Sequence, residues 1–297
     1  MGSLKCVKWY ESKAVLEDTV MPPIPPKHVL AKVLSTLIYS PYKNKNILKS
    51  MEDGKTLGSF GLVRVIEPGV GTEVMPGEVY GVKPYTASGI LGLDLDGLAS
   101  EYAVIPEEAL VSLKGVELER ISPLHVEFGY VYELTKLAEN SEKRLIIGCG
   151  LTAYILGLAL KNYRNSEVLC PGTDYLKSLR DLGLPLRKDL ESLRDKIDLL
   201  ILTEDAEVDL RNVLRDGACI YITPGTFTLS LHYRGIPSKI KLARPRIFRP
   251  EYSLRYLRRV NPHIMESQVK TINELSQAVE ALNFFERILV DFRYRET

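Results

Sequence analysis

The sequence predicts an α/β protein in which an all-β first third is followed by a doubly wound parallel sheet. In the first third, short alternating segments such as 5–10 and 28–37 are separated by turns rich in glycine and proline, which is typical of a compact β-barrel. From about Ile121 onward, apolar strands alternate with helical segments, as 144–147 and 153–161 do. That alternation indicates a parallel sheet with helices on both of its faces.

The individual elements follow from local periodicity. Segment 28–37 alternates apolar and polar side chains with a period of two, as a strand does, and the proline-rich segment 21–26 cannot enter a helix or a central strand. The predicted strands are 5–10, 28–37, 61–66, 79–82, 100–106, 144–147, 167–170, 197–202, 218–222 and 287–292. The predicted helices are 128–137, 153–161, 174–182, 210–214 and 274–285.

The overall composition narrows the class of protein. At 297 residues the chain is long enough for two domains of about 150 residues each. A net charge of +1 gives no general attraction to nucleic acid or to acidic membranes. No apolar run approaches the ~18 residues that span a bilayer, and the N-terminus does not resemble a signal peptide, so we predict a cytoplasmic protein. Glutamine occurs only at positions 268 and 277, which hints at a thermophilic source.

The four cysteines show no spacing that is typical of a metal site. They are Cys6, Cys149, Cys170 and Cys219, and none of them forms a C-x-x-C pair. We therefore expect buried small side chains rather than a disulfide framework or a metal cage.

A glycine-rich turn lies between the predicted strand 144–147 and the helix that follows it. It has the form Gly148-x-Gly150-x-x-Ala153, a version of the dinucleotide-binding fingerprint. The first glycine permits a tight turn, the second lets the backbone approach a pyrophosphate, and Ala153 is small enough for close packing of helix on strand. The candidate cofactor-binding residues of this region are Gly148, Gly150, Leu151, Ala153, Gly172 and Lys177.

Motifs along most of the chain resemble those of the medium-chain dehydrogenase/reductase superfamily, the zinc-type alcohol dehydrogenases. They are Gly61-x-Val63-x-x-Ile66-Glu67-x-Gly69, Pro76-Gly77-Glu78-Val79-Tyr80, the segment 96–102, the fingerprint at 148–153 and the turn 214–218. The resemblance implies a GroES-like β-barrel domain, 1–125 with 249–297, and a Rossmann nucleotide-binding domain, 126–248.

The zinc ligands of that family are missing from the matching positions. Tyr39 stands where the resemblance implies a cysteine, and Ser59 and Phe60 follow Gly58 where the family has a histidine and an acid. His125 falls near the third ligand position, but one imidazole does not hold a zinc ion. The cysteines of the family's structural zinc lobe are also absent from 85–94. We therefore expect no zinc.

The cofactor side of the resemblance is altered as well. An acid that would accept hydrogen bonds from the adenosine ribose is absent from the segment 169–173, and Asp174 lies too far along and instead caps a helix beginning near Tyr175. Loss of the acid removes the bias against a 2′-phosphate, which Lys177 or Arg180 could approach, so NADP is weakly preferred over NAD. The alternative is that no nucleotide is bound.

Without zinc, the resemblance is to quinone and enoyl reductases. It implies hydride transfer from the nicotinamide to an activated double bond, with a protein group or water supplying the proton. A tyrosine can be that acid when a neighbouring group stabilises its anion. Tyr39 and then Tyr42 are the candidates, Ser59 could add a hydrogen bond to a carbonyl, and His125 is a further candidate. The alternative for each is a structural role in the core or in a turn.

A basic stretch runs through 237–260. Its charged residues are Lys239, Lys241, Arg244, Arg246, Arg249, Arg255, Arg258 and Arg259. The segment 239–248 resembles the edge strand through which subunits of the family pair, so we favour a homo-oligomer contact over nucleic-acid binding.

Two hypotheses of different classes remain open from the sequence. One is a zinc-independent NAD(P)H-dependent oxidoreductase acting on an unidentified small molecule. The other is a non-catalytic alcohol-dehydrogenase-like protein that serves as a binding or scaffold subunit. The retained glycines support the first hypothesis, and the lost ligands support the second.

Overall fold

The computed structural model describes residues 4–43, 51–172, 176–187, 189–190, 193, 196–204, 210, 213–224, 226 and 239–295. The chain divides into two units. The first comprises Met1–Gly129, Phe248–Glu251 and Ser267–Thr297, and the second comprises Tyr130–Ile247 and Tyr252–Glu266.

The strands are β1 (Leu4–Tyr10), β2 (Lys13–Thr19), β3 (His28–Tyr39), β4 (Phe60–Pro68), β5 (Val79–Val82), β6 (Tyr102–Pro106), β7 (Leu110–Ser112), β8 (Arg144–Ile147), β9 (Ser166–Leu169), β10 (Leu186–Arg187), β11 (Ile197–Leu202), β12 (Leu214–Ile222), β13 (Lys241–Ala243), β14 (Val269–Ile272) and β15 (Arg287–Asp291). The α-helices are α1 (Ser122–Glu127), α2 (Val131–Glu139), α3 (Gly150–Leu160), α4 (Leu176–Arg180), α5 (Pro250–Leu257), α6 (Pro262–Gln268) and α7 (Leu275–Ala281).

The first unit is built on a seven-stranded sheet with the order β14-β15-β3-β4-β5-β7, in which β6 also pairs with β3. Every pair except β14–β15 is antiparallel. The central strand β3 is buried throughout its second half, where β15 and β4 pair with it, and β6 pairs with its first half at His28–Lys32. Strands β1 and β2 form a separate hairpin whose inward side chains, such as Val7 and Trp9, join the same apolar core.

The second unit contains a six-stranded, all-parallel sheet in the order β10-β9-β8-β11-β12-β13. With β8 taken as the first strand, this is the 3-2-1-4-5-6 order of the Rossmann fold, and the order reverses between β8 and β11. Helix α3 connects β8 to β9 and is buried on nearly all sides. The prediction of an antiparallel β domain and a doubly wound parallel sheet is therefore confirmed.

Two predicted features of the second unit need correction or stay outside the described residues. The prediction of a helix over 210–214 is wrong at its end, because Leu214 begins β12 and pairs with Ile197 of β11. Asp174 and Tyr175, where a helix start was predicted, lie outside the described residues, and α4 is described from Leu176. None of the helices in the described part of the chain combines the length and apolar character that crossing a bilayer requires.

Candidate functional site

A buried polar cluster lies in the first unit, at the end of β3. The hydroxyl of Tyr39 donates a hydrogen bond to Oε1 of Glu127 over 2.5 Å, and Nε of Arg287 donates to the same oxygen over 3.1 Å. Strand β15 places Arg287 directly opposite Tyr39 on β3, and the guanidinium lies 5.1 Å from the centre of the tyrosine ring. Helix α1 supplies Glu127 as its last residue.

The cluster is almost completely withdrawn from water. The side chains of Arg287 and Glu127 are 2% and 1% exposed, and Tyr39 is 9% exposed. A buried Arg–Glu pair is costly to desolvate, so it needs good geometry and further hydrogen bonds to be tolerated. Those bonds are present, because Nη1 of Arg287 also contacts a carboxylate oxygen of Glu286 at 2.5 Å.

The charges of the cluster are set by burial and by each other. Burial raises the pKa of Glu127 above its ordinary value, while the positive charge of Arg287 and the hydroxyl of Tyr39 oppose that rise. Burial alone would lower the pKa of Arg287, but the carboxylates of Glu127 and Glu286 outweigh it and hold that pKa well above its ordinary value. Burial and the ion pair therefore act in opposite directions on the pKa of each of these two side chains.

One hydrogen-bond acceptor of the cluster has no donor among the described residues. Within the described residues, Oε2 of Glu127 is buried and accepts no hydrogen bond. An unsatisfied buried carboxylate oxygen is unusual, because leaving such a group unpaired carries most of its desolvation cost. The cluster therefore retains one buried oxygen that can accept a proton or a hydrogen bond.

Aromatic rings cover the tyrosine of the cluster. Phe60 meets Tyr39 edge-on with ring centres 6.2 Å apart, and Phe248 lies 6.2 Å from Phe60. The structure thus brings together Tyr39 and Phe60, two of the positions at which the resemblance implies zinc ligands. Neither side chain suits zinc, which takes cysteine, histidine or carboxylate ligands. In the described residues there is no group of three or more histidine, cysteine, aspartate or glutamate side chains placed to hold a metal.

The other predicted catalytic residues have local contacts of their own. The hydroxyl of Tyr42 accepts a hydrogen bond from the backbone N–H of Ala14 over 2.9 Å, and its ring packs against Trp9 at 5.3 Å. Ser59 is buried, and its backbone N–H donates to the carbonyl of Leu37. His125 is buried on α1 two residues before Glu127, and side chains at that spacing do not face each other on a helix.

The glycine turn of the second unit joins β8 to α3. Gly148 has a φ of +135°, and a Cβ at this position would clash with Oγ1 of Thr203, which follows β11. Gly150 has a φ of +71°, a conformation that side chains other than glycine rarely adopt. Leu151 and Ala153 are fully buried in the first turn of α3, and Cys149 makes no side-chain cap at the start of that helix. The turn therefore has the small residues that let a backbone approach a pyrophosphate.

A disulfide crosses this turn. Cys149 is bonded to Cys170 with the two Cα atoms 5.0 Å apart, so the prediction of unbridged cysteines is wrong for this pair. Parallel pairing of Ile147 with Leu169 brings the ends of β8 and β9 side by side, although the cysteines are separated by 21 positions in sequence. The two other cysteines, Cys6 and Cys219, are free.

The remaining predicted cofactor-binding residues lie beyond β9. Gly172 is exposed, and its backbone N–H donates to Sγ of Cys149 over 3.3 Å. Lys177 and Arg180 are both exposed on α4. No carboxylate follows β9 within the described residues 170–172, so the acid that would bind an adenosine ribose is absent there.

The basic stretch contains an edge strand and two tyrosine rings that contact an arginine of the same stretch. Among the described residues, strand β13 pairs with β12 and forms one edge of the parallel sheet. The guanidinium of Arg255 lies 3.8 Å from the ring centre of Tyr252 and 4.9 Å from that of Tyr256. These two rings are therefore stacked by an arginine of their own helix, α5.

Comparison with known proteins identifies the fold. No protein-family model and no curated protein sequence matches the chain. Solved structures do match along almost the whole length. A protein described as a short chain alcohol dehydrogenase, from E. coli CFT073 in complex with NADH, has a TM-score of 0.70 and 14% identity, covering 98% of this chain and 99% of that one.

Two further structures give the same result. The 2R,3R-butanediol dehydrogenase from Bacillus subtilis has a TM-score of 0.62 and 18% identity, covering 97% of this chain and 99% of that one. Glucose dehydrogenase from Haloferax mediterranei, in complex with NADP, zinc and gluconolactone, has a TM-score of 0.64 and 14% identity. The match covers 98% of this chain and 99% of that one. Identities this low establish a shared architecture, and the chain accordingly has the fold of these dehydrogenases.

Proposed function

We propose that this protein is a zinc-independent NAD(P)H-dependent oxidoreductase of the medium-chain dehydrogenase/reductase type. The observation that carries the proposal is the turn Gly148–Ala153, which opens α3 beside the point where the strand order of the parallel sheet reverses. Ligands of open α/β sheets bind at such switch points, outside the carboxyl ends of the strands. NADP- and NAD-bound neighbours with the same fold support it.

The residues of the turn suit a dinucleotide. Gly148 and Gly150 keep the backbone free of side chains, and the start of α3 presents its N–H groups and the positive end of its dipole to the pyrophosphate. When bound, NAD(P)H supplies the hydride. Lys177 and Arg180 on α4, with no carboxylate at Cys170, favour a 2′-phosphate and therefore NADP over NAD.

Tyr39 is the proton donor in this proposal. Of the two candidate tyrosines, Tyr39 has its hydroxyl hydrogen-bonded to a buried carboxyl group. The hydroxyl of Tyr42 instead accepts a hydrogen bond from the backbone N–H of Ala14. Glu127 is a positioning residue, because its Oε1 accepts the hydrogen bond of the Tyr39 hydroxyl and so orients it. Arg287 is a positioning residue that balances the charge of Glu127. A small molecule with an activated double bond is the proposed substrate class.

The alternative proposal is a non-catalytic binding or scaffold protein. It is favoured by the hydrogen bond that ties the Tyr39 hydroxyl to Glu127 inside the core, where a satisfied tyrosine has a structural role without any substrate. Both proposals include a homo-oligomer that forms through β13, the edge strand of the described parallel sheet. A sheet edge offers backbone N–H and C=O groups with which a strand of a second copy can pair.

The experiment is a fluorescence titration of the purified, metal-analysed protein with NADPH and with NADH. We expect NADPH to bind, with an affinity equal to or above that of NADH. Gly150→Asp should abolish binding, because it adds a side chain and a negative charge at the pyrophosphate position. The matched control is Gly217→Asp, which introduces the same residue at a similar positive φ, +81°, near the amino end of β12. Unchanged NADPH affinity in Gly150→Asp, or no binding by the parent at millimolar concentration, would contradict the proposal.

A further inference from the structure

The disulfide joins the two segments of the second unit that this fold uses for a dinucleotide. Cys149 lies between Gly148 and Gly150, at the turn that approaches the pyrophosphate, and Cys170 directly follows β9. The end of that second strand is where the adenosine ribose is recognised in Rossmann folds. The bridge therefore spans two adjacent subsites of the proposed cofactor site.

The sulfur atoms also hold the loop after β9. The backbone N–H of Gly172 donates to Sγ of Cys149 over 3.3 Å, and Sγ of Cys170 lies 3.2 Å from the carbonyl oxygen of Gly172. Both polar groups of this backbone unit are thus turned toward the bridge. Gly172 is one of the residues assigned to the cofactor, so the bridged form withdraws groups that a bound ribose or phosphate would use.

The bridge contributes little to holding the sheet together. Strands β8 and β9 are already paired in parallel register from Arg144–Ser166 to Ile147–Leu169. A cross-link immediately beyond those pairs constrains the turn and the loop more than it constrains the strands. Its main consequence therefore falls on the cofactor subsites.

The bridge is placed where a reagent can reach it. Cys149 is half-buried and Gly172 beside it is exposed, whereas Cys170 is 8% exposed. Cys149 also precedes the first turn of α3, and a helix N-terminus stabilises a thiolate. Cys149 is therefore the cysteine that reacts first in thiol–disulfide exchange with a small molecule.

We propose that Cys149 and Cys170 form a dithiol–disulfide modification site that controls dinucleotide affinity, with the dithiol form binding NADPH more tightly. The inference rests on the proposed oxidoreductase function. In oxidation, the Cys149 thiolate attacks a small-molecule disulfide such as glutathione disulfide, releasing one glutathione thiolate. The Cys170 thiolate then attacks Sγ of Cys149 in the mixed disulfide and displaces the second glutathione. Two cysteine thiols are oxidised, one glutathione disulfide is reduced, and two protons pass to the two glutathione thiolates.

The first test compares NADPH affinity in the two redox forms of the full chain. The forms are prepared with glutathione disulfide or with dithiothreitol that is then removed, and thiols are counted after denaturation. The oxidised form should show the two thiols of Cys6 and Cys219, and the reduced form all four. We expect the dissociation constant of NADPH to be at least about tenfold higher in the oxidised form, within the range of coupling between linked sites.

Serine variants assign the effect to the bridge. Cys170→Ser, in which no bridge can form, should bind NADPH as tightly as the dithiol form when it is kept reduced. Cys149→Ser also lacks the thiolate that attacks glutathione disulfide, so its NADPH affinity should not depend on the redox treatment. The matched control is Cys219→Ser, which removes a free cysteine of the same sheet and should retain the full redox dependence.

A reciprocal measurement gives a readout that does not involve activity. If the dithiol form binds NADPH tenfold more tightly, saturating NADPH must shift the dithiol–disulfide equilibrium toward the dithiol by the same factor. For a two-electron couple this is a change of about 30 mV in the midpoint potential. The midpoint is measured by alkylation and intact mass in glutathione buffers, with and without NADPH.

The outcomes separate this proposal from the proposed function. Equal or tighter NADPH binding by the oxidised form, with two thiols counted, overturns the redox proposal and leaves the oxidoreductase proposal standing. Four thiols after oxidation overturn the redox proposal in the same way. A higher melting temperature of the bridged form without any change in affinity would make the bridge a structural cross-link only. No NADPH binding by either form or by Cys170→Ser overturns both proposals.

Discussion

Replacing Arg287 by methionine tests whether the buried cluster has the electrostatics described above. The substitution keeps a long, flexible side chain but removes both hydrogen-bonded ion pairs, to Glu127 over 3.1 Å and to Glu286 over 2.5 Å. Because Glu127 is 1% exposed, its carboxylate would be left buried without a counter-charge. Removing one partner of a buried pair costs about 3–5 kcal/mol. For a unit of this size, that corresponds to a fall in melting temperature of about 6–20 °C.

The pH dependence of the variant distinguishes lost charge balance from lost packing. Without Arg287, burial is left largely unopposed and raises the pKa of Glu127 in the folded state above its unfolded value. Such a carboxyl is protonated in the folded protein at pH values where the unfolded chain is ionised. The variant should therefore lose stability as the pH rises through the folded pKa of Glu127, and should regain stability toward pH 5. A defect of packing alone would be independent of pH.

The assay is urea denaturation of Arg287→Met from pH 5 to pH 8, followed by a probe in the first unit such as the fluorescence of Trp9. The matched control is Arg215→Met, an exposed arginine with ion pairs to Glu142 and Asp198, which should cost less than about 1 kcal/mol. Arg287→Met and Glu127→Gln together should recover part of the loss, because the uncompensated charge is then gone. A cost below about 1 kcal/mol for Arg287→Met, or one equal at pH 5 and pH 8, would refute the reasoning.

Two further substitutions have outcomes that follow from the same contacts. Tyr39→Phe should lower the rate of single-turnover reduction of an activated alkene by about 10²–10⁴-fold, since a general acid contributes a factor of that size. The NADPH dissociation constant should stay unchanged. A rate equal to that of Tyr42→Phe would contradict the assignment of Tyr39 as the acid. In the parent protein, the hydrogen bond to Glu78 raises the pKa of Tyr80 to about 12. The ultraviolet signal of Tyr80 ionisation should therefore appear only above pH 11. Comparison with Tyr80→Phe identifies which part of the titration belongs to Tyr80. Glu78→Gln should move that signal down toward pH 10, and an unshifted titration would show that the bond does not persist in solution.

The architecture could be predicted from the sequence because its signals are local. The apolar strand 145–147 and the glycines after it determine a strand, a turn and a helix within a dozen residues, and the structure has β8, the turn and α3 there. The predicted helix 210–214 is wrong at its end, where the conformation is not decided locally. Leu214 instead belongs to β12, because pairing with β11 decides its conformation.

The polar cluster was only partly accessible to sequence reasoning. Tyr39 was singled out, but neither Glu127 nor Arg287 was, although both are charged residues beside apolar runs, which is the one signal that marks them. They are 160 residues apart, and only the pairing of β15 with β3 brings Arg287 to Tyr39. The cysteine pair was missed for the same reason, since it depends on the register between β8 and β9.

The sequence by itself determined the two-part α/β architecture, the positions at which zinc ligands are lacking and the glycine turn, because each depends on neighbours a few residues away. The tertiary structure alone decided that Tyr39 shares a buried carboxylate with an arginine, and that a disulfide crosses the cofactor turn. Both depend on strand pairing, which brings distant residues within a few ångströms and removes their charges from water.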